Sequence, residues 1–283
     1  MKYTRIIPKL DIKGPNLVKG IHLEGLRVLG KPENFAKYYY SEGADELIFQ
    51  DTVASLYQRN NLTEIIKKTA ENIFIPLTVG GGIRSLENIN SVLRAGADKV
   101  SINTSCVQNP NLINEASKTF GSSTIVISVE ASKQLNGEYY LFTDNGREYT
   151  GKKVLDWVRE VQDRGAGEIL LTSIDQEGTG NGYDLSLIKE VSDNISIPLI
   201  AHGGAGKIED LIDSVTKSGA DALALSSMLH YPSIKKVGEN FKYNDEGNIE
   251  FLKSFKASKK FKNNSILMIK QKMIDNKLQV RLL

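Results

Sequence analysis

The strongest constraint on this chain is a regular alternation between two hydrophobic periods. Short apolar runs at Ile6–Leu10, Glu46–Gln50, Ile75–Val79, Lys99–Ile102, Ser123–Val129, Glu168–Thr172, Ile197–Ala201 and Ala222–Leu225 predict eight strands. Segments of helical period at Pro32–Glu42, Leu62–Asn72, Leu86–Ala95, Pro110–Thr119, Lys152–Arg164, Asp184–Asp193, Lys207–Ser218 and Ile266–Asn276 predict eight helices. Alternation of this kind implies parallel βαβ units. Runs apolar on both faces suit strands covered by helices outside and by a packed interior inside. The count and the 283 residues therefore predict one (β/α)8 TIM barrel of the α/β class spanning 1–283. A doubly wound open sheet is the structural rival.

An internal repeat favours the barrel. Gly43-Ala44-Asp45-Glu46-Leu47 returns as Gly165-Ala166-Gly167-Glu168-Ile169. Ile75-Pro76-Leu77-Thr78-Val79-Gly80-Gly81-Gly82 returns as Ile197-Pro198-Leu199-Ile200-Ala201-His202-Gly203-Gly204, and Gly96-Ala97-Asp98-Lys99 as Gly219-Ala220-Asp221-Ala222. Two half-barrels of four βα units would produce this register. A solenoid would repeat every 20–50 residues or so.

Composition removes several classes. No run approaches the roughly 20 apolar residues of a membrane span. The start, MKYTRIIPKLD, lacks a signal-peptide layout, which favours a cytoplasmic location. The single cysteine, Cys106, excludes a disulfide framework and a multi-cysteine zinc site. His22, His202 and His230 are scattered, so no metal is expected, and no cofactor motif is present. A net charge of +2 gives no overall pull toward nucleic acid.

In such a barrel, function sits at the C-terminal ends of the strands. Asp11 ends the first strand and Glu130 the fifth, on opposite walls of one mouth. Paired carboxyls there suit general acid–base work if their pKa values are pushed apart; otherwise each would cap a loop or pair with a lysine. Asp51 ends the second strand, and Thr172, Asp175, Glu177 and Gly178 lie at the end of the sixth. Two glycine-rich turns occupy matching places in the repeat. Gly81 and Gly82 are followed by Asn103 and Thr104; Gly203 and Gly204 are followed by Ser226 and Ser227. Glycines let backbone N–H groups approach an anion, so the doubled pattern predicts a small substrate with a phosphate at each end. Lys19 lies in a long first loop, Gly14–Gly30, that reads as a lid; it would bind phosphate or be solvated. Arg5, Glu46, Lys99 and Glu168 start four strands and should ring the opposite end, as a salt-bridge network or as the gate of an axial channel.

Over residues 1–230 and again near 265–283, the chain resembles the cyclase subunit family of imidazole glycerol phosphate synthase, often called HisF. The resemblance is carried by Leu10-Asp11, Val18-Lys19-Gly20, Asp45-Glu46-Leu47, Thr78-Val79-Gly80-Gly81-Gly82-Ile83, Gly96–Asn103, Gly165–Asp175 and Gly203-Gly204-Ala205-Gly206-Lys207. It implies a separate glutaminase docked on the N-terminal face and ammonia passing through the barrel. It also implies reaction at the mouth with phosphoribulosyl-formimino aminoimidazole carboxamide ribotide. The products would be imidazole glycerol phosphate and aminoimidazole carboxamide ribotide. Asp11 matches the family's first catalytic aspartate; Arg5, Glu46, Lys99 and Glu168 match its gate; the two glycine-rich regions match its phosphate sites.

The chain departs from that pattern at several positions. Glu130 replaces the second catalytic aspartate, Lys9 a cysteine, Glu177 an aspartate and His202 a serine. Residues 231–264 form an insertion with eight lysines and four acids, and with Tyr231, Phe241, Tyr243, Phe251, Phe255 and Phe261. It reads as a solvated loop or as a cap over an anionic substrate. These differences resemble cyclase paralogues that deliver ammonia for sugar amidation. A related aminoimidazole carboxamide ribotide isomerase is a further alternative.

Overall fold

The computed structural model describes residues 3–54, 62–238, 261 and 264–282. Its strands are β1 (Arg5–Lys13), β2 (Asn16–Ile21), β3 (Glu24–Gly30), β4 (Leu47–Asp51), β5 (Leu77–Gly80), β6 (Lys99–Ile102), β7 (Ile125–Lys133), β8 (Tyr139–Thr143), β9 (Glu148–Lys153), β10 (Glu168–Ser173), β11 (Leu199–His202) and β12 (Ala222–Leu225). The helices are α1 (Pro32–Ser41), α2 (Thr63–Ala70), α3 (Leu86–Arg94), α4 (Thr104–Gln108), α5 (Asn111–Phe120), α6 (Val154–Asp163), α7 (Leu185–Ser192), α8 (Ile208–Thr216), α9 (Ser227–Gly238) and α10 (Ile266–Asp275).

Eight strands close on themselves. The parallel pairings run β1–β4–β5–β6–β7–β10–β11–β12 and back to β1. This closure is the (β/α)8 barrel, and it removes the open-sheet rival. The buried apolar residues divide as closure demands. A small inner set, Ile7, Ile48, Val126, Leu170, Ile200, Ala222 and Ala224, fills the lumen. A much larger set packs between the outer strand faces and the helices. Amphipathic spacing places each helix; α6, for example, buries Val154, Trp157, Val158 and Val161, an i, i+3, i+4, i+7 stripe. Trp157, the chain's one tryptophan, is buried there, with the Lys152 ammonium 4.7 Å from its ring centre.

Two antiparallel hairpins extend the wall. The segment read as a long first loop is β2–β3, which pairs Asp11, Ile12 and Lys13 of β1 with Val18, Leu17 and Asn16. The β8–β9 hairpin pairs β8 with the overhang of β7, from Glu130 to Lys133. Both overhangs gain hydrogen-bond partners this way, so β1 and β7 run past Asp11 and Glu130 instead of ending at them. β1 and β7 are four strands apart in the ring, which puts the two hairpins on opposite sides of the mouth.

A helix follows β12 directly. α9 runs from Ser227 to Gly238 despite Pro232 within it, so the first part of the inserted segment is helical. Tyr231 stacks on Phe261 at 5.7 Å. Phe241, Tyr243, Phe251 and Phe255, and with them most of the expected cap, lie outside the described residues. At the other end, α10 is capped by the Ser265 side chain and tied down by Lys270. The Lys270 ammonium lies 2.7 Å from Asp45, in a pair that is almost fully buried.

Candidate active site

Asp11 lies on the inner wall of β1, 2% exposed. Two lysines reach it. Lys9, two residues earlier and on the same face, bonds Asp11 Oδ1; Lys19 Nζ, brought over by β2, lies 3.2 Å from Oδ2. Burial alone would push the Asp11 carboxyl up, but the Lys9 and Lys19 ammoniums outweigh it and hold Asp11 well below the usual carboxylate range. Lys19 also bonds Glu177, whose other oxygen accepts from the Leu23 N–H at 2.9 Å. Burial acts to lower Lys19, yet Glu177 and Asp11 together hold it well above its ordinary value. Lys19 is thus engaged with two carboxylates and lines neither of the mouth cavities described below.

Glu130 faces Asp11 from the opposite wall, 8% exposed. Burial pushes its carboxyl up to about 7. The Gly146 N–H, 2.8 Å from Oε2, and the more distant Lys9 pull it down, while Asp11 and Asp144 raise it again. Gly146 belongs to the β8–β9 turn, where Asp144, Asn145 and Gly146 all have positive φ, at 54°, 59° and 78°. The two hairpins meet over the mouth: Asn145 Nδ2 donates to the Leu23 carbonyl at 3.2 Å, and Leu23 is 4% exposed.

A hydrogen-bond network fixes the wall behind Asp11. The Lys9 carbonyl accepts from Ser226 Oγ at 2.7 Å and from His230 Nε2 at 2.9 Å. A carbonyl only accepts, so His230 carries its proton on Nε2 and accepts on Nδ1 from the Tyr39 hydroxyl at 2.7 Å. The Ser226 proton is already used. Ser226 therefore accepts from His202 Nε2 at 3.3 Å, and His202 Nδ1 accepts from Thr172 at 3.0 Å. Burial holds His202 well below its ordinary value and takes His230 down to about 4, so both imidazoles are neutral near pH 7.

Two cavities of unequal size open at the mouth. The first, about 400 Å³, contains Gly81, Gly82, Asn103 and Thr104 together with Glu130. The second, about 20 Å³, contains Glu177, Gly178, Gly203, Gly204, Ser226 and Ser227, with His202 among its walls. Twenty cubic ångströms holds roughly one water. Gly81 and Gly203 share one backbone state, φ 101° and 99°. A Cβ on either would lie within 2.4–2.7 Å of a carbonyl oxygen, of Asp51 or of Ser173, so both turns require glycine. Thr172 is taken up by His202. Asp175 is exposed and accepts from Ser132 Oγ and the Lys133 N–H, both at 2.8 Å, away from either cavity.

Sequence reasoning missed several residues of the larger cavity, two of them on the second hairpin. Asp144 and Asn145 line the larger cavity, as do Arg84, Ser105, Gln108 and Ser128. The run Asp144-Asn145-Gly146 between alternating segments is a hairpin signal that could have found the first two. Cys106 is fully buried, and burial pushes its thiol up to about 12, which makes it an inert packing residue.

At the N-terminal end, the four strand-start charges form a closed ring. Arg5 bonds Glu46 at 2.7 Å and also bonds Glu168; Lys99 bonds the same two carboxylates at 3.1 and 3.2 Å.

Fold and site together define a barrel enzyme with a carboxyl pair at its C-terminal mouth. The family described as histidine biosynthesis protein matches residues 5–235, which include all eight barrel strands. Three similar proteins carry the name imidazole glycerol phosphate synthase subunit HisF. That of Legionella pneumophila is 60% identical over 210 residues, covering 74% of this chain and 99% of the relative. That of Alkaliphilus metalliredigens is 45% identical over 230 residues, covering 81% and 91%. That of Methanocaldococcus jannaschii is 46% identical over 250 residues, covering 82% and 92%. The chain belongs to this family, among the HisF cyclase subunits of imidazole glycerol phosphate synthase in histidine biosynthesis.

Proposed function

We propose that the chain takes ammonia from a separate glutaminase and converts phosphoribulosyl-formimino aminoimidazole carboxamide ribotide to imidazole glycerol phosphate and aminoimidazole carboxamide ribotide. The observation that carries this reading is that the proton affinities of two facing carboxyls are pushed in opposite directions. Joining ammonia to a carbonyl carbon requires a proton to leave nitrogen and a proton to reach the departing oxygen. Asp11, held as an anion, would be the base once substrate draws a lysine away, since the pairing that keeps it ionised also weakens it as a base; Glu130, buried and raised to about 7, would be the acid. The larger cavity beside Glu130 would hold one phosphate, with the Gly203–Gly204 turn at the other end.

The glutaminase would dock on the N-terminal face. A groove of about 440 Å³ there is lined by Ile73, Phe74, Ile75 and Pro76, and Phe74 is 81% exposed. A large exposed aromatic of this kind suits an interface. The ring of Arg5, Glu46, Lys99 and Glu168 would then be the gate through which ammonia enters the lumen. Among the described residues no helix is long and apolar enough to cross a membrane, in keeping with work in the cytoplasm.

A second reading has one observation in its favour. Lys9, Glu177 and His202 gather around Asp11, and the second cavity is about twentyfold smaller than the first. A paralogue that delivers ammonia for sugar amidation would not need the second phosphate site. Turnover of purified protein with the bisphosphorylated ribotide and excess ammonium, assayed at pH values on both sides of 7, separates the two. Turnover that disappears in Asp11→Asn supports the cyclase; a folded protein with no turnover supports ammonia delivery.

A further inference from the structure

Among the buried charges that the proposed chemistry does not use, Lys9 is the one bonded to Asp11 from its own strand. Lys9 is 4% exposed on the inner wall of β1, yet it lines neither mouth cavity. Its side chain runs to Asp11. Its backbone carbonyl is clamped by Ser226 and His230, because β12 ends its pairing with β1 at Leu225 and leaves that carbonyl to side-chain donors. A long, flexible side chain is thus anchored at its root and bonded at its tip. Burying an ammonium in a barrel lumen is expensive unless an anion pairs with it, and here that anion is Asp11.

We infer that Lys9 is a positioning residue of the reaction: its ammonium, bonded to Asp11 from the same strand and facing the wall that carries Glu130, tunes the proton affinities of the two carboxyls. The inference rests on the roles proposed above for those two carboxyls. The charged and titratable groups facing the pair are few. Asp11 meets Lys9 from its own strand, Lys19 from β2, His202 from β11 and His230 from α9. Glu130 meets Lys9 and Asp11 across the lumen and Asp144 from the hairpin turn. Glu177 is bonded to Lys19, and the two histidines are neutral. Lys9 thus acts on both carboxyls, by direct contact on Asp11 and from a distance on Glu130. Lys19 is shared with Glu177.

The test compares Lys9→Met with the unaltered chain at fixed free ammonia across pH 5–9. Loss of the charge should move the alkaline limb of kcat up by about one pH unit, a tenfold change in the proton affinity of Glu130. KM should stay within about twofold, because Lys9 touches neither cavity. A residue that merely supported the fold would leave the limb in place. A second readout needs no turnover: the 13C carboxyl resonance of Glu130, identified by its disappearance in Glu130→Gln, should titrate about one unit higher in Lys9→Met. If the unaltered chain shows no turnover, the proposed reaction fails while this readout still judges Lys9. An unchanged Glu130 titration in folded Lys9→Met overturns the inference. If Lys9→Met does not fold, Lys9→Gln carries the same test, since it also removes the charge. A Glu130 titration raised by about one unit supports the role of charge, and an unchanged one overturns it.

Discussion

Asp11 and Glu130 face one another across the barrel mouth with proton affinities pushed in opposite directions, although both are almost fully buried. The difference lies in their neighbours. Asp11 has two ammoniums in contact, whereas Glu130 has one backbone N–H and only distant cations. Burial wins where it is unopposed and loses where two charges oppose it.

Asp11→Asn should lose at least about 100-fold in ammonia-dependent kcat, since it removes the base. It also leaves two buried lysines short of an anion, a change that typically costs about 3–5 kcal/mol. Denaturant titration beside the kinetic assay separates these effects. Full activity in the variant would remove Asp11 from the chemistry.

Glu130→Gln should alter how stability depends on pH. The folded carboxyl titrates near 7, above its unfolded value of 4.5, so the stability it contributes is fully present below about pH 4.5 and lost as pH rises through 7. Across that window the unaltered chain should lose about 3 kcal/mol that Glu130→Gln keeps. Urea unfolding at pH 4.5 and 8 for both proteins measures it, and parallel profiles would refute it.

The histidine network should show the opposite sign. His230 titrates near 4 when folded and near 6.5 when unfolded, so its contribution is present above 6.5 and lost as pH falls toward 4. Tyr39→Phe removes the donor to Nδ1 and should destabilise the protein by about 1 kcal/mol at pH 7. Thermal unfolding between pH 4 and 7.5 reads both.

Phe74→Asp should weaken glutaminase binding by tenfold or more and leave ammonium-supported turnover within about twofold. Phe74 is at the far end of the barrel from the carboxyl pair, so equal losses in glutamine- and ammonium-dependent rates would argue against docking there.

The barrel was legible because periodicity and repeat report on burial, and burial is what closes eight strands. Asp11 and Glu130 were legible from their places toward the C-terminal ends of their strands, although both strands run on past them, and the opposite ring from charges at the starts of four strands. What escaped was set by tertiary pairing. Read along the chain, Gly14–Gly30 is glycine-rich and looks like a loop. In space it is a hairpin, because Asp11, Ile12 and Lys13 overhang the barrel and need backbone partners. Lys19 then points into the wall, which no local pattern could show. The Asp144-Asn145-Gly146 turn did carry a local signal. Lys9 and His202 stood out only as unusual residues; Lys9 shares a strand face with Asp11 at i, i+2 spacing, which the sequence did show, whereas the His202 contact with Thr172 joins two strands and has no signature in sequence spacing.

Trp157 gives the protein a built-in optical asymmetry. The only indole in the chain is buried under α6, in the second half of the barrel, with a lysine ammonium over its face. Intrinsic tryptophan emission is therefore blind to the first four βα units. If the halves come apart at different denaturant concentrations, emission will follow one of them while far-ultraviolet circular dichroism follows both. A mismatch between those two curves would show that the two halves of the chain unfold separately, without adding a label.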